Sequence, residues 1–292
     1  MQKGDIQKRM SKKSSERIRN RLNFSLRTVG DMALKRRAKR IVEALELREG
    51  DKILEVGCGN GYYLSLLNRL GLKISLTGID NDKAALFDAQ RFIGDEKVNL
   101  IFADATSFPF KNNSFNKIIC SEVIEHVKDD KKVLQEMHRV LKSGGIMVLS
   151  TCDINYPFFW DPINWLLQHR FRTHIKRGFW SGIWNQHLRM YEKKEVEKLV
   201  NEVNFKISAC ESLTSWCLPF NHYVINFVAR LIARYIYLNK LPKKFAEGLI
   251  KFKNEKQSLP VKFLFWLVNT FDKLNDLYPQ KNGVSIFIKA RK

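Results

Sequence analysis

The chain has 292 residues, 45% of them hydrophobic, enough to build a core and to exclude global disorder. Lys and Arg outnumber Asp and Glu by 51 to 30, and the resulting net charge of +21 favours phosphate-bearing partners, whether nucleic acid, anionic lipid headgroups or a soluble anion. Cys58, Cys120, Cys152, Cys210 and Cys217 form an odd set without a C-x-x-C pair, which argues against a disulfide framework or a cysteine zinc site and fits a reducing cytosol.

The opening M-Q-K-G-D-I-Q-K-R-M-S-K-K is basic but lacks the apolar run of ~7–15 residues of a signal peptide, so secretion is not expected. Residues 1–45 read as a basic helical arm closed by Lys35, Arg36, Arg37, Lys39 and Arg40. Charge runs are ordinarily solvent faces, so a solvated arm is expected ahead of a dedicated phosphate-binding one. Leu22, Phe24 and Leu26 suggest an apolar anchor for it.

A core follows over 46–211. K-I-L-E-V, K-I-S-L-T-G-I-D, V-N-L-I-F-A, K-I-I-C and G-I-M-V-L-S-T are short Ile/Val/Leu-rich runs separated by amphipathic segments. They predict a doubly wound, mostly parallel sheet of α/β class with helices on both faces. Such sheets bind ligands beyond the carboxyl ends of their strands. An aromatic and basic lid is expected over about 154–190, its helix starting at Asp161-Pro162, with the carboxylate capping and the proline at the first helical position. A polar-faced helix and the strand F-K-I-S-A come next. Residues 212–281 break the rhythm as a helical insertion, in which Asn226, Arg230 and Arg234 form one stripe of a basic amphipathic helix and V-K-F-L-F-W-L-V-N-T-F a second segment. Neither reaches the ~18–20 apolar residues of a membrane span. Residues 282–292 hold the last core strand, G-V-S-I-F-I-K-A.

The first strand runs into E-V-G-C-G-N-G-Y, where Gly57, Gly59 and Gly61 permit a tight turn and close ligand approach. Asp80 ends the second strand, where a carboxylate can accept both hydroxyls of a ribose, and Asp104 closes the third. The order I-L-E-V-G-C-G-N-G, G-I-D-N-D, F-A-D-A-T-S-F-P-F-K-N-N-S-F, E-V-I-E-H-V and L-K-S-G-G-I-M-V-L-S-T resembles the class I S-adenosylmethionine (SAM)-dependent methyltransferases, of the type 11 and ubiquinone-biosynthesis kind, between Asp51 and Thr151. The resemblance implies a seven-stranded Rossmann-like fold and SAM as cofactor. It places Gly57, Gly59 and Gly61 along the methionyl part, Asp80 on the ribose, Asp104 and Ala105 at adenine, and Glu55, Cys58, Asn81 and Ser121 among the cofactor residues. One departure is Asn116 after Phe115, where the family has aspartate; that position usually supports the strand.

The stretch S-E-V-I-E-H-V follows the fourth strand. Read as a helix start, it puts Glu122, Glu125 and His126 on one face and Val123, Ile124 and Val127 on another, with acids complementing the helix dipole and His126 pairing with Glu122. E-x-x-E-H also resembles methyltransferases in which both acids and the histidine hold a divalent metal, and His187 would then be a fourth ligand. The helical explanation is sufficient, so no metal is expected, and Glu122, His126 and His187 are the candidate catalytic residues, His187 on the acceptor side.

The preferred acceptor is hydrophobic or lipid-linked, methylated most readily at oxygen at a membrane surface, the protein being cytoplasmic and peripheral on the inner face of an anionic membrane. Two alternatives stay open. One is RNA, through the basic surface; the other is a soluble small molecule, with the insertion as substrate cap or homodimer interface.

Overall fold

The computed structural model describes residues 16–217 and 259–292, apart from residues 28, 95, 96 and 279. The start of the basic arm and the expected helix around Asn226, Arg230 and Arg234 lie outside the described residues.

A helix over 16–26 (α1) and α2 (Met32–Ala44) precede the sheet. Then come β1 (Lys52–Val56), α3 (Tyr62–Asn68), β2 (Ser75–Asp80), α4 (Lys83–Ile93), β3 (Val98–Phe102), β4 (Phe115–Ser121), α5 (Asp130–Val140) and β5 (Leu141–Cys152). The second half holds α6 (Pro162–Phe171), α7 (Lys193–Glu202), β6 (Lys206–Leu213), α8 (Leu259–Asp272), α9 (Leu274–Leu277) and β7 (Ser285–Arg291). The seven strands lie in the order β3-β2-β1-β4-β5-β7-β6. β1 to β5 are mutually parallel, whereas β7 runs antiparallel to both β5 and β6.

Helices cover both faces. Val133, Leu134, Met137 and Val140 of α5 and Val196 and Val200 of α7 pack on one side against Leu54, Ile118 and Leu149. Ala38 and Ile41 of α2, Leu64 and Leu67 of α3, and Ala89 and Ile93 of α4 pack on the other against Ile53 and Val148. Each fully buried Leu or Ile contributes about 1.5–3 kcal/mol relative to an exposed one, and burial on both faces explains why the strand sequences are apolar without alternation. A smaller third cluster joins Met32 and Ala33 of α2 to Cys152, Tyr156, Trp160, Trp184, Val268 and Val284. It fastens the lid and α8 near the carboxyl end of β5. Asn116 supports the sheet, its Oδ1 accepting the Lys52 N–H at 2.9 Å.

The N-terminal segment differs from the solvated arm expected. α2 buries Met32, Ala33, Ala38, Ile41, Val42 and Ala44, and of its five terminal cations only Lys39 is exposed. Lys35 and Arg36 pair with Asp272 at 3.2 and 2.9 Å, Arg40 with Glu211 at 2.5 Å, and Arg37 with Glu122 at 3.2 Å. The anchor expected at Leu22 and Leu26 is present, since both are buried. Phe24 is not part of it: helical spacing turns it outward, where Arg27 lies 3.8 Å over its ring.

Candidate active site

The parallel strands bring the ends of β1, β2, β3, β4 and β5 to one edge of the sheet. Gly57, Gly59 and Gly61 all have positive φ (66°, 48° and 76°), a left-handed conformation costly for residues with a Cβ. Gly61 is the N-cap of α3. Cys58 is buried, and its N–H donates to Ile79 O at 2.9 Å, which ties the turn to β2.

Asp80 spans the same gap with its side chain. Its Oδ2 accepts the Gly59 N–H at 2.8 Å and its Oδ1 the Asp82 N–H at 2.9 Å. A carboxylate keeps further lone pairs for hydroxyl donors in such a position. Asn81 is exposed beside it. Asp104 is exposed at the turn after β3, and its Oδ1 accepts both the N–H and the O–H of Thr106 at 2.7 and 2.6 Å, which lowers its pKa. Ala105 is half-buried next to it.

Glu55 sits inside β1 at 3% exposure, and its Oε2 has no hydrogen-bond partner. Burial pushes its pKa well above the carboxylate range, and the nearby Asp80 adds to the shift. An unsatisfied buried carboxyl oxygen is costly unless something binds there. A Cβ placed on Gly59 would meet nothing within 4 Å. Together with the upturned Asp80 carboxylate, these features fit a nucleoside-bearing cofactor such as SAM, held by Gly59, Asp80 and the Glu55 end of β1.

The residues after β4 do not form the expected α-helix. Glu122 has a φ of 57°, and only a short 3-10 turn, Ile124–His126, follows before α5. The predicted common face of Glu122, Glu125 and His126 is therefore broken, because the left-handed residue rotates Glu122 away from the two that follow. The expected His126–Glu122 pair is absent. Glu122 instead meets the Arg37 guanidinium, accepts the Cys152 Sγ–H at 3.2 Å and lies 3.5 Å from the donating Ser150 Oγ. Arg37 also donates to Tyr63 OH at 3.3 Å and Ser285 Oγ at 3.2 Å. Ser121, expected near the cofactor, joins this network through Tyr63 OH at 3.1 Å and Ser150 Oγ at 2.8 Å.

His126 is exposed, and its Nδ1 lies 3.1 Å from Gln186 O. Its ring meets that of His187 edge to face, with centroids 4.6 Å apart. The segment carrying His187 is laid along the 3-10 turn: the Leu188 N–H donates to Glu125 O at 2.9 Å, and Tyr191 OH donates to Ile124 O at 3.2 Å and Asp130 Oδ2 at 2.7 Å. Glu125 points inward, fully buried, and burial with the neighbouring Glu122 charge raises its pKa to about 8.

Ligand atoms of Glu125, Cys152 and His187 lie within 4.8 Å of one another, so among the described residues these three could share one metal ion. They are not the set of Glu122, Glu125, His126 and His187 suggested by the sequence. Glu122 is engaged by Arg37, and Cys152 takes a place in the cluster. That thiol is a poor ligand as it stands, because burial, then Glu122, pushes its pKa well up and only the thiolate ligates strongly.

Arg37, Tyr63, Ser150 and Cys152 were not among the candidate site residues: Arg37 was read as a cation of a solvated arm and Cys152 as one of five free cysteines. Arg37 left one trace: Ala33, Ile41 and Ala44 stand four before, four after and seven after it, which puts it on the apolar stripe of its helix.

The fold has known counterparts. Haemonchus contortus phosphoethanolamine N-methyltransferase 2, in complex with SAM, matches with a TM-score of 0.54 at 18% identity, over 88% of this chain and 52% of that one. The cyclase SpnF matches with a TM-score of 0.54 at 20% identity, over 87% of this chain and 79% of that one. Residues 54–149, from β1 through most of β5, match the family described as Methyltransferase domain. The sheet and its helices have the Rossmann-like fold of methyltransferases. Demethylmenaquinone methyltransferase of Staphylococcus epidermidis is 33% identical over 124 residues, 41% of this chain and 52% of that protein. Its Staphylococcus aureus counterpart is 32% identical over 150 residues, 50% of this chain and 59% of that protein. The chain spans about half the length of the curated relatives it matches. The matched residues contain the glycine turn, Asp80, Asp104 and the Glu122–His126 stretch, whereas Arg37, Cys152 and His187 lie outside them.

Proposed function

We propose that the chain transfers the methyl group of SAM to an oxygen of a hydrophobic or lipid-linked acceptor at a membrane surface. The observation that carries the reading is the pairing of Asp80 with the glycine turn, which presents a carboxylate and an open backbone edge at the carboxyl ends of β1 and β2. Methyl transfer from a sulfonium asks chiefly for alignment of nucleophile, methyl and leaving sulfur. A hydroxyl acceptor must also lose a proton, and His126 and His187, whose rings meet beside the turn after β4, are the groups to which we assign that role, Glu122 being held by Arg37. The relatives named for demethylmenaquinone, together with the aromatic lid, favour an apolar acceptor.

The test is calorimetric. Asp80→Ala is expected to weaken SAM binding at least about tenfold, since a hydrogen-bonded charge to ligand hydroxyls carries about 1.5–3 kcal/mol. Unchanged affinity in a folded Asp80→Ala protein overturns the assignment of the cofactor site.

A further inference from the structure

α6 buries a polar side chain most deeply. Its one buried residue is Asn164, whose amide donates to Asp161 Oδ2 at 2.9 Å, Trp180 O at 2.9 Å and Ser181 O at 3.2 Å, and whose Oδ1 accepts the Ile175 N–H at 2.8 Å. The helix is thus pinned to the body by a polar side chain. Trp165 also packs on the third cluster, and Ile163 and Leu167 are half-buried, but Leu166 is 53% exposed and Phe171 63%, with Phe158, Phe159 and Trp180 exposed on the neighbouring turns.

Some of these rings touch one another. Phe158 contacts Phe159 and Trp165 with centroids 5.4 and 5.3 Å apart, Trp165 stacks on His169 at 4.0 Å, and the Arg170 guanidinium lies 5.7 Å from the Phe171 ring. The charge pattern is one-sided. No acid occurs between Asp161 and Glu192, while Arg170, Arg172, Lys176 and Arg177 are all exposed there.

We infer that the exposed apolar and basic residues of α6 and of the turns beside it form a docking surface for an anionic lipid bilayer. Aromatic and aliphatic side chains at the headgroup boundary gain apolar contact, and interleaved cations without competing acids gain attraction to anionic headgroups. A soluble protein partner would ordinarily meet a mixture of charges, and an ordinary core-facing helix would have buried Leu166 and Phe171. The same segment continues into Gln186, His187 and Leu188, which lie on the Glu125–His126 turn, so docking would bring the membrane beside the acceptor side of the site. The inference rests on the reading of the acceptor as lipid-linked, and its test stands apart from SAM binding.

The experiment is co-sedimentation of the full chain with vesicles of phosphatidylcholine alone or with about 30% phosphatidylglycerol. Wild type is expected to bind the anionic vesicles, and Leu166→Glu and Phe171→Glu each to weaken that partition about tenfold. Phe87→Glu, at an equally exposed phenylalanine of α4, is expected to leave it unchanged, and SAM affinity by calorimetry is expected to stay at the wild-type level in all three. Wild type that ignores anionic vesicles, or variants that bind them as wild type does, overturns the docking surface. So does an effect of the α6 variants on a single-stranded RNA oligonucleotide with vesicle binding intact. Vesicle binding without SAM binding in wild type would leave the docking surface standing and remove the proposed activity instead.

Discussion

Gly57 and Gly59 share a left-handed backbone but not their surroundings. A Cβ on Gly57 would lie 2.5 Å from Val123 Cγ2, whereas one on Gly59 would meet nothing within 4 Å. Gly57→Ala therefore combines backbone strain of about 1–2 kcal/mol with overpacking of about 1–3 kcal/mol and is expected to lower the unfolding midpoint clearly. Gly59→Ala carries only the strain and is expected to stay folded while losing SAM affinity. Thermal unfolding beside calorimetry checks both, and a Gly59→Ala protein that binds SAM normally would place the cofactor elsewhere. The spacing of the three glycines was legible in the sequence because each position forbids other residues locally. Which glycine packs against the core and which stands open was not, since Val123 comes from a distant strand end.

Among the elements, the stretch after β4 and helix α2 were misread for one shared reason. Glu122 and Arg37 were each assigned by local pattern, an acid at a helix start and a cation in a charge run, while their partners lie far off in sequence. Tertiary pairing turned Glu122 left-handed and drew Arg37 into a network with Tyr63 and Ser285. Breaking the pair is expected to be destabilising. Loss of one partner of a buried ion pair costs about 3–5 kcal/mol, and side-chain exposures of 13% and 23% put this one at or below the lower end. Arg37→Met should thus lower stability to urea, and adding Glu122→Gln should restore part of the loss by removing the stranded charge. Strict additivity of the two changes would show that they do not interact.

At the scale of the whole molecule, the strands, their parallel pairing and the closing β7 were legible because buried parallel strands write continuous apolar runs. The place of the N-terminal segment was not, because its lysines and arginines masked the apolar period beneath them. Leu22, Leu26, Ala38 and Ile41 belong to the same buried cluster as Ile53 and Val148. Deleting residues 1–44 should therefore uncover one face of the sheet and abolish cooperative thermal unfolding. A truncated chain that melts cooperatively within a few degrees of wild type would return the segment to the role of an appendage. The seating of β7 between β5 and β6 has a bearing on synthesis. Among the described strands β6 pairs with β7 alone, and β7 follows it in the chain after α8 and α9, so a nascent chain carries β6 without that neighbour and β5 with an open edge until β7 has emerged. Unpaired edges of this kind template association with other chains, and the newborn protein is therefore most in need of chaperone protection in the interval between the emergence of β6 and that of β7.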